Sequence, residues 1–127
     1  MTNPVVVEDA ASGRRLEAWV RRVGEDVVVA VGGGTTPHVG CVVLAQPYRS
    51  RSRPGAVSAS CSVLTIPPHK EEPIARAIAA ALAAGLDRVA VVTAGVHDDN
   101  LDAAGVADYL RLGEELAARL VAELGLG

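Results

Sequence analysis

Three histidines and a glycine-threonine string are the residues of this sequence best suited to chemistry. His38 lies in Thr-Thr-Pro-His-Val-Gly, His69 in Pro-Pro-His-Lys, and His97 in Ala-Gly-Val-His-Asp-Asp-Asn. Each falls at a break in the apolar pattern, beside a predicted strand end, where a rigid scaffold usually displays functional groups. An imidazole near neutral pH can donate, accept or move a proton, and can bind a metal. Asp98 and Asp99 are near enough in sequence to orient His97 by a hydrogen bond. The string Gly32-Gly33-Gly34-Thr35-Thr36-Pro37 leads into His38. Read as a loop, its glycines allow positive φ and close approach to backbone N–H groups. Thr35 and Thr36 add hydroxyls, Pro37 stiffens the approach, and such a donor cluster suits an anion such as phosphate. Neither the dinucleotide nor the P-loop glycine fingerprint is present. His69-Lys70 stands just before a helix start, where backbone N–H groups and a full positive charge would attract an anion. The alternative for all of these is ordinary turns carrying surface histidines.

Other chemistries have less support. His38 and Cys41 have H-x-x-C spacing, and His69, His97 or Asp98 could complete a metal set. Cys41, however, opens an apolar run and Cys61 shares a face with Ala59 and Val63. Cysteines so placed behave as small hydrophobes, and neither C-x-x-C nor H-E-x-x-H occurs. No G-x-S-x-G elbow offers a serine nucleophile. A Cys41–His38 pair is the one nucleophile arrangement the spacing allows. Asp98 and Asp99 are adjacent and should diverge, unlike the paired carboxylates of glycoside chemistry. The basic stretch of Arg49, Arg51 and Arg53 reads as a charged loop with no assigned role.

The elements that must position these groups follow from periodicity. Val5–Glu8 is a short β-rich run. From Arg15 to Val20 polar and apolar residues alternate, giving a half-buried strand with Trp19 on its polar side. Val27–Val31 and Cys41–Ala45 are continuous apolar runs, which predicts strands covered on both faces. Pro47–Val57 reads as a loop, Ser58–Ile66 as a strand, and Arg88–Ala94 as another. Ile74, Ile78 and Leu82 recur every four residues, so a helix follows Lys70, with Pro73 in its first turn and Gly85 as its C-cap. A second helix, lined by Leu112, Leu116, Leu120 and Leu124, is expected to start after Asp108. A short turn or helix is expected at Leu101–Ala104. This order predicts an α+β, two-layer fold: a mainly antiparallel or mixed β-sheet with two main helices packed on one face.

Composition bounds the rest. The 127 residues suit a single domain spanning 1–127. Half are hydrophobic and 21% charged, enough for a packed core. With one Trp, two Tyr and no Phe, aliphatic side chains must fill it. A formal net charge of −3 argues against nonspecific nucleic-acid binding. No apolar run approaches the ~20 residues of a membrane span, and no signal peptide is evident. Two cysteines do not make a disulfide scaffold. A cytoplasmic protein with free thiols is expected.

Gly33-Gly34-Thr35-Thr36-Pro37-His38-Val39-Gly40, then Pro68-His69-Lys70, then Thr93-Ala94-Gly95-Val96-His97, resembles the prenylated-flavin chaperones. These small LpdD-like proteins accompany UbiD-type decarboxylases such as gallate decarboxylase. The resemblance covers roughly Arg15 to Leu120. It implies a non-catalytic, FMN-binding flavoprotein that holds prenylated FMN, or FMN itself, and shields it. It also implies support for delivery to, or maturation of, a UbiD-type decarboxylase, alongside a flavin prenyltransferase. The residues it singles out as cofactor-binding are Gly33, Gly34, Thr35, Thr36, His38, His69, Lys70 and His97, with no catalytic residue and no metal. A flavin ring needs an apolar slot, and the aromatics available to stack on it are Trp19, Tyr48 and Tyr109. The high apolar fraction of so small a chain favours a homo-oligomer. Two alternatives stand beside this: a metal-dependent hydrolase or lyase using the three histidines, and a decarboxylase accessory chain that never touches flavin.

Overall fold

The computed structural model describes residues 3–67 and 71–125. Six strands form one mixed sheet: β1 (Val5–Glu8), β2 (Arg15–Val23), β3 (Asp26–Gly34), β4 (Cys41–Arg49), β5 (Val57–Thr65) and β6 (Ala90–His97). Their spatial order is β1-β2-β3-β6-β4-β5. Only β3 and β6 pair in parallel; the other neighbours are antiparallel. Helices α1 (Glu72–Leu86) and α2 (Ala103–Gly125) pack on one face, α1 over β4, β5 and β6, α2 over β1 and β2. The two-layer α+β expectation holds.

The core lies between that sheet face and the helices. Leu16, Ala18, Val29, Val43 and Val92 point into it and are buried. They meet Ile78 and Leu82 of α1 and Leu112, Leu116 and Leu120 of α2, all buried. Four-residue spacing stacks these helical side chains into one stripe. Small residues set the closeness of the helix pair. A Cβ on Gly113 would stand 3.3 Å from Ile74, and one on Gly85 would stand 2.8 Å from Val121.

Several boundaries differ from those expected, each for a physical reason. Gly32–Gly34 are not a loop; they continue β3 and pair with Gly95–His97. Gly85 lies inside α1 at the helix crossing, and Asp87 takes the left-handed C-cap, φ 54°. Helix α2 starts at Ala103, because the Asp102 carboxylate accepts the Gly105 N–H at 2.8 Å. Gly105 sits in that first turn because Leu101 and Arg14 leave no room for a Cβ. Strand β4 runs on to Arg49, whose guanidinium binds Asp87, so the loop shortens to residues 50–56. The apolar runs of β3 and β4 are covered by helices on one face only. Val29 is fully buried, whereas Val28 keeps 39% of its surface.

Asp102→Ala should remove the α2 cap and lower stability by about 1 kcal/mol. The expected readout is a lower urea midpoint at an unchanged slope.

Candidate functional site

Inserting β6 between β3 and β4 dictates the geometry of the site. Strands β3 and β4 are consecutive in sequence, so residues 35–40 must cross β6. They do so on the sheet face away from the helices. The His38 carbonyl lies directly over Gly95, where any Cβ would collide with it. Pro37 packs on Gly32, whose Cβ would stand 3.0 Å from the proline ring. Gly34, at φ 76°, passes so close to the His97 carbonyl that a side chain has no space. Gly33 faces the core side, against Leu16 and the Arg15 carbonyl. The glycines therefore serve close backbone packing. The carboxyl ends of the parallel pair β3 and β6 open at this same end of the sheet, where the first turns of both helices also lie. Ligands commonly sit beyond such ends.

The donors of the crossing segment are largely engaged. Thr35 N–H donates to the His97 carbonyl (2.9 Å) and to Asp98 Oδ1 (3.0 Å). Thr36 N–H donates to the same carbonyl at 3.3 Å, and the Thr35 hydroxyl donates to it at 3.2 Å. His38 Nδ1 faces the Thr36 carbonyl at 3.1 Å, and its Nε2 faces Glu71 Oε1 at 3.0 Å. A carbonyl only accepts, so Nδ1 is the donor in the first contact. Glu71 is the residue before α1 and is buried, 5% exposed. Gly40 makes room for its carboxylate, since a Cβ there would stand 2.8 Å from Oε2.

His97 is half-exposed, and its Nε2 pairs with Asp99 Oδ1 at 3.0 Å. Asp98 has a different task from the one expected. It receives the Thr35 N–H and the hydroxyl of buried Tyr109. Burial, then the Asp98 hydrogen bond and charge, push the Tyr109 phenol well above its ordinary pKa, so it remains a donor. Arg14 closes the group by binding Asp108 at 2.9 Å. A cavity of about 520 Å³ beside Gly34 and Thr35 is lined by Arg14, Arg15, Asp98 and Asn100. A second, of about 270 Å³, lies on the open sheet face, with His38, Pro37 and Val39 beside Trp19 over Ala30, Gly32 and Thr93.

The structure thus gathers Gly33, Gly34, Thr35, Thr36, His38 and His97 at one end of the sheet. The two imidazoles take separate partners, Glu71 and Asp99. His69 and Lys70 lie outside the described residues. Among the described residues, no three His, Cys, Asp or Glu side chains come together as a metal site. Sequence reading misses Glu71 as the partner of His38. Its one signal is a glutamate close before a helix-starting proline, which also fits a helix-dipole role.

A family model, the prenylated flavin chaperone LpdD-like domain, matches residues 10–125. The chain belongs to this family. The resemblance carried by the glycine-histidine string and its two companion motifs is thereby borne out, and with it a chaperone role concerned with prenylated flavin. No significant match occurs among curated proteins. A chain in the crystal structure of a novel chaperone complex for yeast 20S proteasome assembly is similar at TM-score 0.66. It shares 19% identity, over 98% of this chain and 97% of that one. At that identity the likeness concerns the fold alone. Among the described residues, no helix of this family member is long and apolar enough to cross a membrane.

Gly95→Ala should drive the crossing segment off the sheet and cost about 2–3 kcal/mol, the scale of forced overpacking. Loss of the His38–Glu71 contact should accompany it, read from the His38 imidazole resonances. Tyr109→Phe should cost about 1–2 kcal/mol, by leaving an Asp98 oxygen without its donor. The urea midpoint measures this second effect.

Proposed function

We propose that this chain binds and shields prenylated FMN without transforming it, and supports its delivery to, or the maturation of, a UbiD-type aromatic acid decarboxylase. The observation that carries the reading is the floor beside His38. Ala30 and Thr93 offer small side chains, beside the Pro37 ring that covers Gly32, under a space that Trp19 and Glu17 flank and His38 edges. Small residues let a planar ring lie close to the sheet, and an indole at its side supplies stacking area. An imidazole held by Thr36 and Glu71 gives that ring a rigid, fixed edge to rest against. These residues fit an isoalloxazine. Trp19 is the aromatic proposed to stack on the flavin in that slot.

The phosphate has a different environment from the one the glycine string suggests. With the Thr35 and Thr36 N–H groups bonded to His97 and Asp98, the exposed Thr36 side chain and Lys70 become the residues proposed to meet it. His69 and His97 complete the proposed polar border. Gly33 and Gly34 contribute by letting the backbone turn across β6 rather than by touching the cofactor. When bound, prenylated FMN supplies the decarboxylase's chemistry. This chain's own side chains bind it, orient it and exclude oxygen and water. The cytoplasm, where a decarboxylase and a flavin prenyltransferase would meet it, is the proposed compartment.

Anaerobic addition of reduced prenylated FMN to the purified protein should change the flavin spectrum and carry flavin through a sizing column with the protein. His38→Ala should weaken retention about tenfold, by removing the ring that edges the slot, while cooperative unfolding persists. An unchanged spectrum and no co-elution would sink the reading.

A further inference from the structure

The sheet face away from the helices is too apolar for its exposure. Nine large hydrophobics are exposed among the described residues, and seven of them (all except Val106 and Leu110) belong to this face or its margin. Pairing register aligns them into rows across the strands. One row is Trp19, Ala30, Thr93, Val42 and Leu64. The next is Arg21, Val28, Val91, Leu44 and Ser62. Trp19 is 49% exposed and Leu64 75%. Charge on this face lies toward its β1–β2 side, in Glu8, the Arg15–Glu17 pair, Arg21 and Asp26. The serines of β5 and Gln46 make the remaining border polar.

An apolar centre with a polar rim is the anatomy of a protein interface. From this the structure assigns an occupant: a second copy of the same chain, packed sheet on sheet through these rows about a two-fold axis. Two features favour a second copy. First, β3 and β4 carry unbroken apolar runs, the pattern of strands buried on both faces, yet the chain's own helices cover one. Second, the area suffices. Five strands spaced ~4.8 Å, each over some six residues of ~3.3 Å, give roughly 500 Å² per copy, so about 1,000 Å² in total. That reaches the ~1,000 Å² expected of a specific interface. The surface has no large block of one charge sign that would repel its own copy, and a two-fold interface requires such self-complementarity.

The His38 cavity opens onto the same face. Its volume, about 270 Å³, is below the ~300–1,000 Å³ usual for a ligand site. The second copy closes it, so the site is incomplete in one chain. The interface is argued from the apolar rows alone and does not require flavin. Only the closing of the cavity rests on the proposed function.

The test uses flavin-free protein, so that failure of flavin binding and failure of the interface are read separately. Sedimentation at micromolar concentration should give the mass of two chains. Leu44→Glu and Val28→Glu should each halve that mass while unfolding stays cooperative, and Leu110→Glu on α2 should leave it unchanged. Trp19 is the one tryptophan. Its emission should be blue-shifted in the dimer and move red as dilution halves the mass, which decides the matter even if a variant does not fold. A wild-type monomer, a dimer that survives both sheet substitutions, dissociation by Leu110→Glu, or water-exposed Trp19 emission in an intact dimer would each overturn the proposal.

Discussion

The placing of β6 between β3 and β4 is the constraint from which the rest of this molecule follows. Two strands adjacent in sequence are held two positions apart in the sheet, and the six residues joining them must pass over the strand between. That passage is possible because Gly95 and Gly32 present bare backbone to it. Once across, the segment is fastened to the end of β6 by the His97 carbonyl and Asp98. The donors of the crossing are therefore structural first. What remains for a ligand is what the crossing displays: the His38 imidazole, the exposed threonine side chains, and the open face beside Trp19.

Electrostatics fixes the display. A buried carboxylate is costly unless it is paired, and the partner Glu71 finds is His38. The cost of burying Glu71 thus becomes the means of orienting the imidazole. The Asp98 group works alike. Its two oxygens are taken by the Thr35 N–H and the Tyr109 hydroxyl, which links the crossing segment to α2. Both helix starts are in this way tied to the same six residues, α1 through Glu71 and α2 through Tyr109.

Much of this is legible in the sequence, and the exceptions have physical causes. The alternation of Leu16, Ala18 and Val20 and the four-residue spacing of Ile74, Ile78 and Leu82 identify which faces meet in the core. Periodicity reports such burial directly. The glycine string reads as a loop because glycine is uncommon inside strands. Here the close approach of the Pro37 and Leu16 side chains and of the His97 carbonyl excludes side chains, and no local signal carries that. Spacing alone places the start of α2 too late because Gly105 weakens the helical pattern of its first turn, although Asp102 caps it. Of Asp98 and Asp99, both read as able to orient His97, only Asp99 does so, while Asp98 turns to Thr35 and Tyr109. The glycine-histidine string does locate the segment that crosses β6. Its His38 partner, Glu71, is 33 positions away in sequence, and such pairing depends on the crossing of β6.

The continuous apolar runs of β3 and β4 carry a separate lesson. Inside one chain they look like a misreading, because Val28, Ala30, Val42 and Leu44 do not face the helices. Yet selection against sticky surfaces disfavours large exposed apolar patches unless they bind something. A sheet in a protein built to stand alone would alternate cleanly, as β2 begins to do through Arg15 and Glu17 before Trp19 interrupts it. β3 and β4 do not, and β3, with β6 beside it, floors the His38 cavity. The chain therefore divides its work between its two sheet faces. The helix-covered face supplies the burial that makes the fold stable, and the open face is apolar where a planar ligand and a covering surface would both need it.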